Sequence, residues 1–184
     1  MSETVRAAAA VELAKHRKLI TSVLSGRILS ALMLPMLRWA PPAGYGVLTT
    51  TGRRTGRRRS RCVRIVRAGD RAYVVALRPP KLAVEHPDWV NGWVHNIRAE
   101  PAVSVRLPGG SRRGRATEIT DPAEYRMARA LLAERVYLVD FAECAIHLRG
   151  LPSKAKILGL HRYWFDTGNP VRIDLADCQT RSGP

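Results

Sequence analysis

The sequence predicts an α+β protein, mainly β, in which an antiparallel barrel carries an N-terminal helix and short helical insertions. Three observations favour this class. Short apolar segments alternate with turn residues over most of the chain, a long helical segment precedes them, and no strand–helix–strand alternation occurs. The 184 residues, 46% hydrophobic and 25% charged, are enough for one globular domain with an ordinary core.

Strands are predicted where β-branched and aromatic residues lie between turn signals. Gly69-Asp70 and Pro108-Gly109-Gly110 provide the turns of two hairpins. Because the chain lacks βαβ units, a parallel Rossmann sheet is not favoured. The predicted strands cover residues 45–51, 62–67, 71–77, 102–107, 112–119, 161–166 and 171–175.

A long helix is predicted for residues 5–39, where apolar side chains recur every four positions from Ile20 to Met36. Pro35 is expected to kink or end this helix, and Pro41-Pro42 to stop it. The chain is therefore divided into an N-terminal amphipathic helix, a barrel domain and a loose tail, at residues 1–42, 43–176 and 177–184.

Further along the chain, shorter helices are predicted inside the barrel domain. One covers residues 87–99 and is stopped by Pro101. Another begins at Asp121-Pro122, a side-chain cap followed by proline at the first helical position, and runs to about residue 136. The pattern leaves residues 138–159 between helix and loop.

Two placements are open for the N-terminal helix. It can pack over the domain or line a ligand site, or it can lie on an anionic membrane surface, since a basic cluster at 15–18 precedes its apolar part. Arg27 in mid-helix argues against a membrane span. The three cysteines have no C-x-x-C spacing and no signal peptide is evident, so we expect a cytoplasmic protein, with peripheral contact at the inner face of the membrane as the second placement.

The charge balance narrows the class of ligand. Lys and Arg number 31 against 15 Asp and Glu, a formal charge of +16. Such a surface attracts polyanions in general, whether nucleic acid, anionic lipid, or a phosphorylated or polyglutamylated cofactor. The sign of the charge does not choose among them, and part of the arginine excess is also compatible with genomic composition bias.

The stretch from Leu48 to Arg59 is the most specific signal for a ligand. Gly52 and Gly56 allow positive φ, so that backbone N–H groups could form an anion nest, and Thr50, Thr51 and Thr55 add hydroxyl donors. Arginine side chains bind phosphate and carboxylate in bidentate fashion. The stretch is neither a Walker A loop nor a G-x-G-x-x-G turn. It predicts a phosphate-bearing ligand, with nucleic acid and a solvated basic hairpin as alternatives.

A second stretch, from Trp89 to Pro101, places Trp89, Trp93 and Asn96 near one face of a helix. By themselves the two tryptophans are more typical of a core. No pair of histidines or carboxylates has the spacing of metal ligands, so no metal is predicted, and no nucleophile motif occurs.

Together these stretches resemble the deazaflavin-dependent nitroreductase family. The resemblance is carried by L-T-T-T-G-R-[KR]-T-G-x-x-R at Leu48 to Arg59, by V-V-A at 74–76, and by W-x-x-N-[IL]-x-A-x-P-x-V at Trp93 to Val103. It covers roughly residues 46–119. It implies an actinobacterial or archaeal type of oxidoreductase that transfers hydride from reduced coenzyme F420, on a split β-barrel related to FMN-binding oxidoreductases.

The resemblance also assigns roles to residues. F420 is a deazaflavin with a phosphate and an oligoglutamate tail, and the family holds these at the positions of Arg53, Arg54, Thr55 and Arg59. The residues matching Val75, Ala76 and Leu77 border the ring, and Trp93 and Asn96 lie near the same pocket. Because reduced deazaflavin donates hydride, the protein would mainly bind, orient and exclude water.

Where the family often has a Gly-rich segment after V-V-A, this chain has Leu77-Arg78-Pro79-Pro80, which predicts a stiffer and bulkier segment beside the ring. Tyr137 is the candidate catalytic residue, as a proton donor on the substrate side. The expected substrate is small, apolar or conjugated: a quinone, an enone or a biosynthetic intermediate. Family analogy also suggests a homodimer. The alternatives are a flavin reductase that binds FMN on the same barrel, and a basic protein that binds nucleic acid without catalysis.

Overall fold

The computed structural model describes residues 2–16 and 23–176. Its centre is a closed antiparallel barrel with the strand order β1-β2-β3-β6-β5-β4. The predicted barrel is therefore confirmed. The strands are β1 (Tyr45–Thr51), β2 (Arg58–Ala68), β3 (Arg71–Ala76), β4 (Ala102–Leu107), β5 (Gly110–Glu118) and β6 (Asn169–Leu175).

Seven helices surround the barrel in the described ranges. They are α1 (Ser2–Lys15), α2 (Val23–Trp39), α3 (Pro80–Glu85), α4 (Gly92–Ala99), α5 (Pro122–Ala133), α6 (Leu138–His147) and α7 (Lys154–Thr167). In those ranges, no helix has both the length and the apolar content needed to cross a membrane. The single long helix expected for 5–39 is observed as two helices, and part of it, 17–22, lies outside the described residues, as does the expected tail at 177–184.

Helix α2 continues through Pro35 to Trp39, so of the two expected effects of this proline, a kink or an end, the end does not occur. A proline inside a helix removes one backbone hydrogen bond. Here the next turn carries Leu37, which is 2% exposed and packs with Tyr45 and Val47 of β1. This burial compensates for the missing bond.

The predicted strand at 161–166 is also wrong, because these residues belong to α7. The helix begins where the Ser153 side chain accepts a hydrogen bond from the Lys156 amide at 3.3 Å. Tyr163, Trp164 and Phe165 are all buried, because α7 is covered on more than one side. A short apolar run of this kind does not distinguish a buried strand from a buried helix.

Residues 87–99 are helical only from Gly92 onward, where Asn91 caps α4 by accepting from the Trp93 amide. The Pro79-Pro80 pair that ends β3 also starts a helix, since Pro80 occupies the first position of α3. Both differences concern where a helix begins. Proline and asparagine fit the first turn of a helix as well as a loop, so the sequence pattern leaves this choice open.

The barrel is split along one seam. Strand β2 pairs with β1 through residues 58–64, but it pairs with β3 only through 65–68. Strand β3 turns instead to β6, with which it pairs over 71–76. One edge of β2 is therefore free of strand partners over its first half. Helix α2 covers part of this edge, where the Cys62 amide donates to Ser30 Oγ at 3.0 Å.

Candidate functional site

A cleft of about 970 Å³ opens where β2 and β3 part. Because the edge of β2 is open there, residues from both faces of the strand reach the cleft, among them Arg59, Val63 and Arg64. Other walls come from α2, α4, α6 and the segment after β3. Of the residues predicted to bind a cofactor, those that line the cleft are Thr50, Gly52, Arg53, Arg54, Arg59, Val75, Leu77, Trp93 and Asn96.

Arg53, Arg54 and Arg59, which line the cleft, differ from Arg64, which lines it as well but pairs with Asp140. Arg53, Arg54 and Arg59 are exposed, and among the described residues no carboxylate lies within ion-pair distance of them. The arginines that do pair with a carboxylate are Arg64, Arg71, Arg98, Arg129, Arg162 and Arg172. Three cationic forks without an internal counter-charge therefore face the cleft, as an anionic ligand requires.

The loop that carries these arginines is closed on itself. The amides of Thr55 and Gly56 donate to the Gly52 carbonyl at 3.1 and 2.8 Å, and the Gly52 amide donates to the Arg57 carbonyl at 2.9 Å. The amides of Gly52, Thr55 and Gly56 are therefore already bonded within the loop and are not available to an anion nest. An anion at this loop would meet the arginine side chains instead.

The two glycines of the loop serve different purposes. Gly56 has φ +65°, as expected. Gly52 does not have positive φ. A Cβ there would lie 2.8 Å from Arg59 Nε and 3.1 Å from Thr55 Oγ1, so the absence of a side chain lets Arg59 cross the loop. Arg59 Nη2 also lies 3.4 Å from Thr55 Oγ1, and Thr55 itself is not among the cleft-lining residues.

Asn96 of α4 fixes this loop to the barrel. Its side-chain nitrogen donates to Thr50 Oγ1 at 3.1 Å, and its side-chain oxygen accepts from the Arg53 amide at 3.2 Å. Asn96 and Thr50 are buried. Two residues predicted as cofactor contacts thus lie at the base of the cleft and hold each other, and through them the arginine loop is positioned.

An apolar wall continues from the loop into the cleft. Val75 and Leu77 line it, together with Trp93, which also packs in the barrel core. Ala76 faces the opposite way into that core, because successive side chains of a strand point to opposite faces. Of the three residues expected to border a ring, only the first and third therefore reach the cleft.

The segment after β3 is held in place. Arg78 is 8% exposed, and its guanidinium donates to the Pro87 carbonyl, while burial lowers the pKa of the group. Pro79 and Pro80 line the cleft and lead directly into α3. The expectation of a stiff segment agrees with this geometry. Arg78 also places a buried cation beside the apolar wall.

Tyr137 does not line the cleft. It precedes α6 as the cap of that helix, and its ring lies against the guanidinium of Arg64 at 5.5 Å. The sequence pattern placed it on the substrate side, whereas α6 presents Val139, Ala142 and Glu143 to the cleft. A catalytic role for Tyr137 stays a prediction, and other ionisable groups lie closer to the cleft.

One of these groups belongs to a cluster that sequence reasoning missed. Arg64 Nη1 donates to Asp140 Oδ1 at 2.6 Å, and the Tyr45 hydroxyl contacts both Asp140 and Glu143. The partners are between 76 and 98 residues apart in sequence. No local spacing could have brought them together, and the only sequence signal is an acidic pair one turn apart on a predicted helical stretch.

Three histidines with unpartnered buried nitrogens lie nearby. His16 and His147 line the cleft, and their rings are 5.9 Å apart. His161 lies behind them, stacked at 5.8 Å on Trp164. Burial lowers the pKa of all three, to about 4 for His147 and His161. These rings are therefore neutral at neutral pH and do not add to the positive charge of the cleft.

The site meets the requirements of a large anionic redox cofactor. Three arginines without carboxylate partners suit a phosphate and a carboxylate tail, and the apolar wall suits a planar ring. The volume of about 970 Å³ lies at the upper end of small-molecule sites, so that a ring and a second molecule can share it. The residues present therefore fit a reduction in which the protein holds a hydride donor next to the acceptor that is reduced.

Comparison with known proteins agrees with this fit. Residues 38–143, more than half of the chain, match the family described as F420H2-dependent quinone reductase. The comparison with curated proteins found no match.

Solved structures with a similar fold include an F420-H2 dependent reductase, with 19% identity over 71% of this chain and 93% of that one, at a TM-score of 0.45. Another is a putative pyridoxamine 5'-phosphate oxidase from Listeria innocua, with 14% identity over 81% and 94% and a TM-score of 0.42. A third is described as a domain-swapped dimer, with 19% identity over 80% and 91% and a TM-score of 0.46.

The family match spans the arginine loop, the apolar wall and the first part of α6, which are the parts that build the cleft. The chain therefore belongs to the F420H2-dependent quinone reductase family and is an F420H2-dependent oxidoreductase.

Proposed function

We propose that this cleft binds reduced coenzyme F420 with its anionic tail on Arg53, Arg54 and Arg59, and that the hydride passes to a conjugated, electron-poor organic acceptor. The observation that carries the proposal is the contrast among the arginines. Arg53, Arg54 and Arg59 line the cleft and have no carboxylate partner among the described residues, whereas Arg64, which lines the same cleft, is paired with Asp140.

The protein's part in this reaction is to bind and orient. Reduced F420 supplies the hydride when it is bound. Asn96 holds the loop that carries the arginines, and Val75 and Trp93 offer a flat apolar surface for the ring. Buried apolar surroundings exclude water from the reacting atoms, which protects a hydride donor from side reactions.

The acceptor would lie on the other side of the cleft. That wall is apolar and is formed by α2 and α6, through Leu29, Met33, Leu37, Val139, Ala142 and Ile146. It favours a flat, apolar molecule over a sugar or a charged metabolite. The class that fits is a quinone, an enone or a conjugated biosynthetic intermediate, and the quinone is the one that the family description names.

A fluorescence titration with F420 at low salt tests the anchor. We expect binding that weakens as salt rises, and Arg54→Ala should weaken it about tenfold or more, because hydrogen bonds to charged groups contribute about 1.5–3 kcal/mol. Arg57→Ala is the matched control. Arg57 is an exposed arginine of the same loop that does not line the cleft. Absence of F420 binding at low salt, or equal losses in the two variants, would contradict the proposal.

FMN is the second candidate ligand, and the same titration includes it. FMN carries a single phosphate, which one or two arginines can satisfy. The site offers three unpaired arginines, which suits a longer anionic tail. Tighter binding of FMN than of F420, with a yellow purified protein, would favour a flavin reductase on the same barrel.

We also propose that α2 rests on an anionic lipid surface, from which an apolar acceptor enters the cleft. One face of the helix lines the cleft, and the other leaves Leu24, Ile28, Leu32, Met36 and Trp39 between 46% and 83% exposed. The net charge of +16 is complementary to anionic lipid. Co-sedimentation with anionic vesicles measures this contact.

A further inference from the structure

The hydroxyl of Tyr45 lies between two carboxyl groups. It contacts Asp140 Oδ1 at 2.7 Å and Glu143 Oε2 on the next turn of α6. A phenol has one proton and donates one hydrogen bond. It cannot donate to both groups, and burial raises the pKa of Tyr45, so the phenol also keeps its proton. One of the two carboxyl groups must therefore carry the second proton.

Asp140 is the one that is ionised. Its Oδ1 accepts from the Arg64 guanidinium at 2.6 Å, and its Oδ2 accepts from the Tyr137 amide at 2.6 Å. Both side chains of the ion pair are almost completely buried, at 2% and 0% exposure. Donors on both oxygens favour the charged form of a carboxylate. The Tyr45 hydroxyl therefore donates its hydrogen bond to Asp140, and the phenol oxygen is left to accept one.

The proton between Tyr45 and Glu143 must then come from Glu143. Arg64 and Asp140 already neutralise each other, so a second charge on α6 would have no counter-ion. Glu143 differs from Asp140 in one further respect, since it lines the cleft. From this geometry we infer that Glu143 is the acid that delivers a proton to the acceptor as it receives the hydride, which rests on the proposed function of the cleft.

The surroundings of Glu143 agree with a neutral acid. The charged and titratable groups that face it are Tyr45 from β1, Arg64 from β2, Asp140 from its own helix and His161 from α7, whose lowered pKa keeps it neutral. Burial is the largest influence and raises the pKa of Glu143 to about 7, in spite of Tyr45 and Arg64, which act in the opposite direction. An acid with a pKa near the operating pH is the most effective proton donor.

The same cluster does not suit a metal. Asp140, Glu143 and His161 offer ligand atoms within 4.8 Å of one another. The place of a cation beside Asp140 is taken by the Arg64 guanidinium, which also donates to the carbonyls of Leu132 and Arg135. Breaking this buried ion pair by removing one partner would cost about 3–5 kcal/mol.

The proposed step balances in protons and electrons. Hydride brings two electrons and one hydrogen to the conjugated acceptor, whose oxygen becomes negative. The O–H bond of Glu143 breaks, its electron pair stays on the carboxylate, and the proton goes to that oxygen. The Tyr45 hydroxyl then turns from Asp140 to the Glu143 carboxylate and, with Arg64, stabilises it until water in the cleft returns a proton.

Carbon-13 NMR of the protein labelled at the glutamate carboxyl carbon tests the protonation state without cofactor or turnover. We expect one resonance that titrates near pH 7 and that is missing from Glu143→Gln. Tyr45→Phe should raise that midpoint further, because the ionised carboxylate loses the donor that the Tyr45 hydroxyl becomes once it turns from Asp140. If every glutamate titrates near the ordinary value of about 4.3, the inference is overturned.

Steady-state kinetics with F420H2 and a quinone test the proton transfer. In the wild type, kcat should fall as pH rises through about 7, as Glu143 ionises. Glu143→Gln should lower kcat by about 100-fold or more and remove this pH dependence, with F420 affinity unchanged. Glu85→Gln is the control, an exposed carboxylate on α3. Normal turnover by Glu143→Gln would overturn the inference while leaving the proposed function intact, whereas failure of F420 to bind would overturn the function itself.

Discussion

Asn96 lines the cleft, but its side chain is already bonded within the protein. The sequence motif places it beside a cofactor, and it does line the cleft. Its side-chain amide, however, already joins Thr50 to the Arg53 amide. Both of its polar atoms are used in this way, so its contribution to binding is made by holding the arginine loop at the mouth of the barrel.

Replacing Asn96 with alanine should therefore affect stability and binding together. The variant loses two hydrogen bonds and leaves the buried Thr50 hydroxyl unpaired, which we expect to lower the free energy of unfolding by about 1–3 kcal/mol. It should also weaken F420 binding severalfold, because the loop is released. Thr50→Val removes only the bond to the barrel and keeps the bond to Arg53. Denaturant unfolding and F420 titration of both variants make the test, and equal F420 affinity in Asn96→Ala and wild type would contradict it.

At the scale of single residues, the sequence predicted the side chains that belong to a short local motif. The arginine loop, Trp93 and Val75 are all found at the cleft because they belong to local motifs. Ala76 was misplaced by one residue of strand alternation. Glu143 could not be predicted, because its neighbours Tyr45 and Arg64 come from β1 and β2, which are far from α6 in the sequence. No local pattern around Glu143 identifies them.

Among the secondary-structure elements, hairpin strands were the best predicted. Turn residues and alternation of side chains specify β1 and β4 within a few positions, since both signals are local. Residues 161–166 of α7 are predicted as a strand because Tyr163, Trp164 and Phe165 form a short apolar run, which a buried helix also contains. The seam between β2 and β3 arises from the way the strands pair, which the sequence of a single strand does not determine.

Helix α2 is the element whose exposed face calls for a partner. Leu32 and Trp39 are 73% and 83% exposed, so replacing both with glutamate should not disturb the core. We expect the double variant to lose binding to anionic vesicles in a co-sedimentation assay, because it removes apolar surface and adds repulsion. Val11→Glu is the control, at a side chain of α1 that is 61% exposed.

Two outcomes would contradict the lipid contact. One is a wild-type protein that stays in the supernatant with anionic vesicles. The other is a wild-type dimer that the double variant converts to monomer without any effect of lipid, as measured by light scattering. In that case a second copy of the chain, not a membrane, covers this face of α2.

Across the whole molecule, ionisable groups divide into those that neutralise one another and those that do not. Most buried polar groups are neutral or paired, as Arg64 and Asp140 are. Among the described residues, His16, His147 and His161 belong to the neutral groups, although each has a buried ring nitrogen without a hydrogen-bond partner. Their neutral state is maintained by burial, so the fold as a whole should be sensitive to acid.

The free energy of unfolding should fall as pH drops from about 6.5 towards 4. Unfolded histidine takes up a proton near pH 6.5, whereas His147 in the folded protein does so only at about 4. Between these values the unfolded state binds more protons and is favoured. Burial of this one ring corresponds to a loss on the order of 3 kcal/mol over that range.

Urea unfolding at several pH values, compared between wild type and His147→Phe, measures this effect. Phenylalanine keeps a ring beside Trp164, which lies 5.1 Å from His147, but cannot take a proton. The variant should therefore lose less stability in acid than the wild type. The opposite contribution of Glu143, whose raised pKa removes stability as pH rises from about 4.5 to 7, is common to both proteins and cancels. Parallel curves would show that His147 is not buried in its neutral form.

The gap between β2 and β3 has a consequence for solubility. A strand with a free edge can pair with the same strand of another molecule, and proteins commonly protect such edges with charge. The first half of β2, where the edge is open, is rich in arginine. Two copies that approached each other edge to edge would therefore bring like charges together. The basic residues that suit an anionic ligand therefore also discourage aggregation, so that a barrel can stay open for a ligand without assembling into sheets with its neighbours.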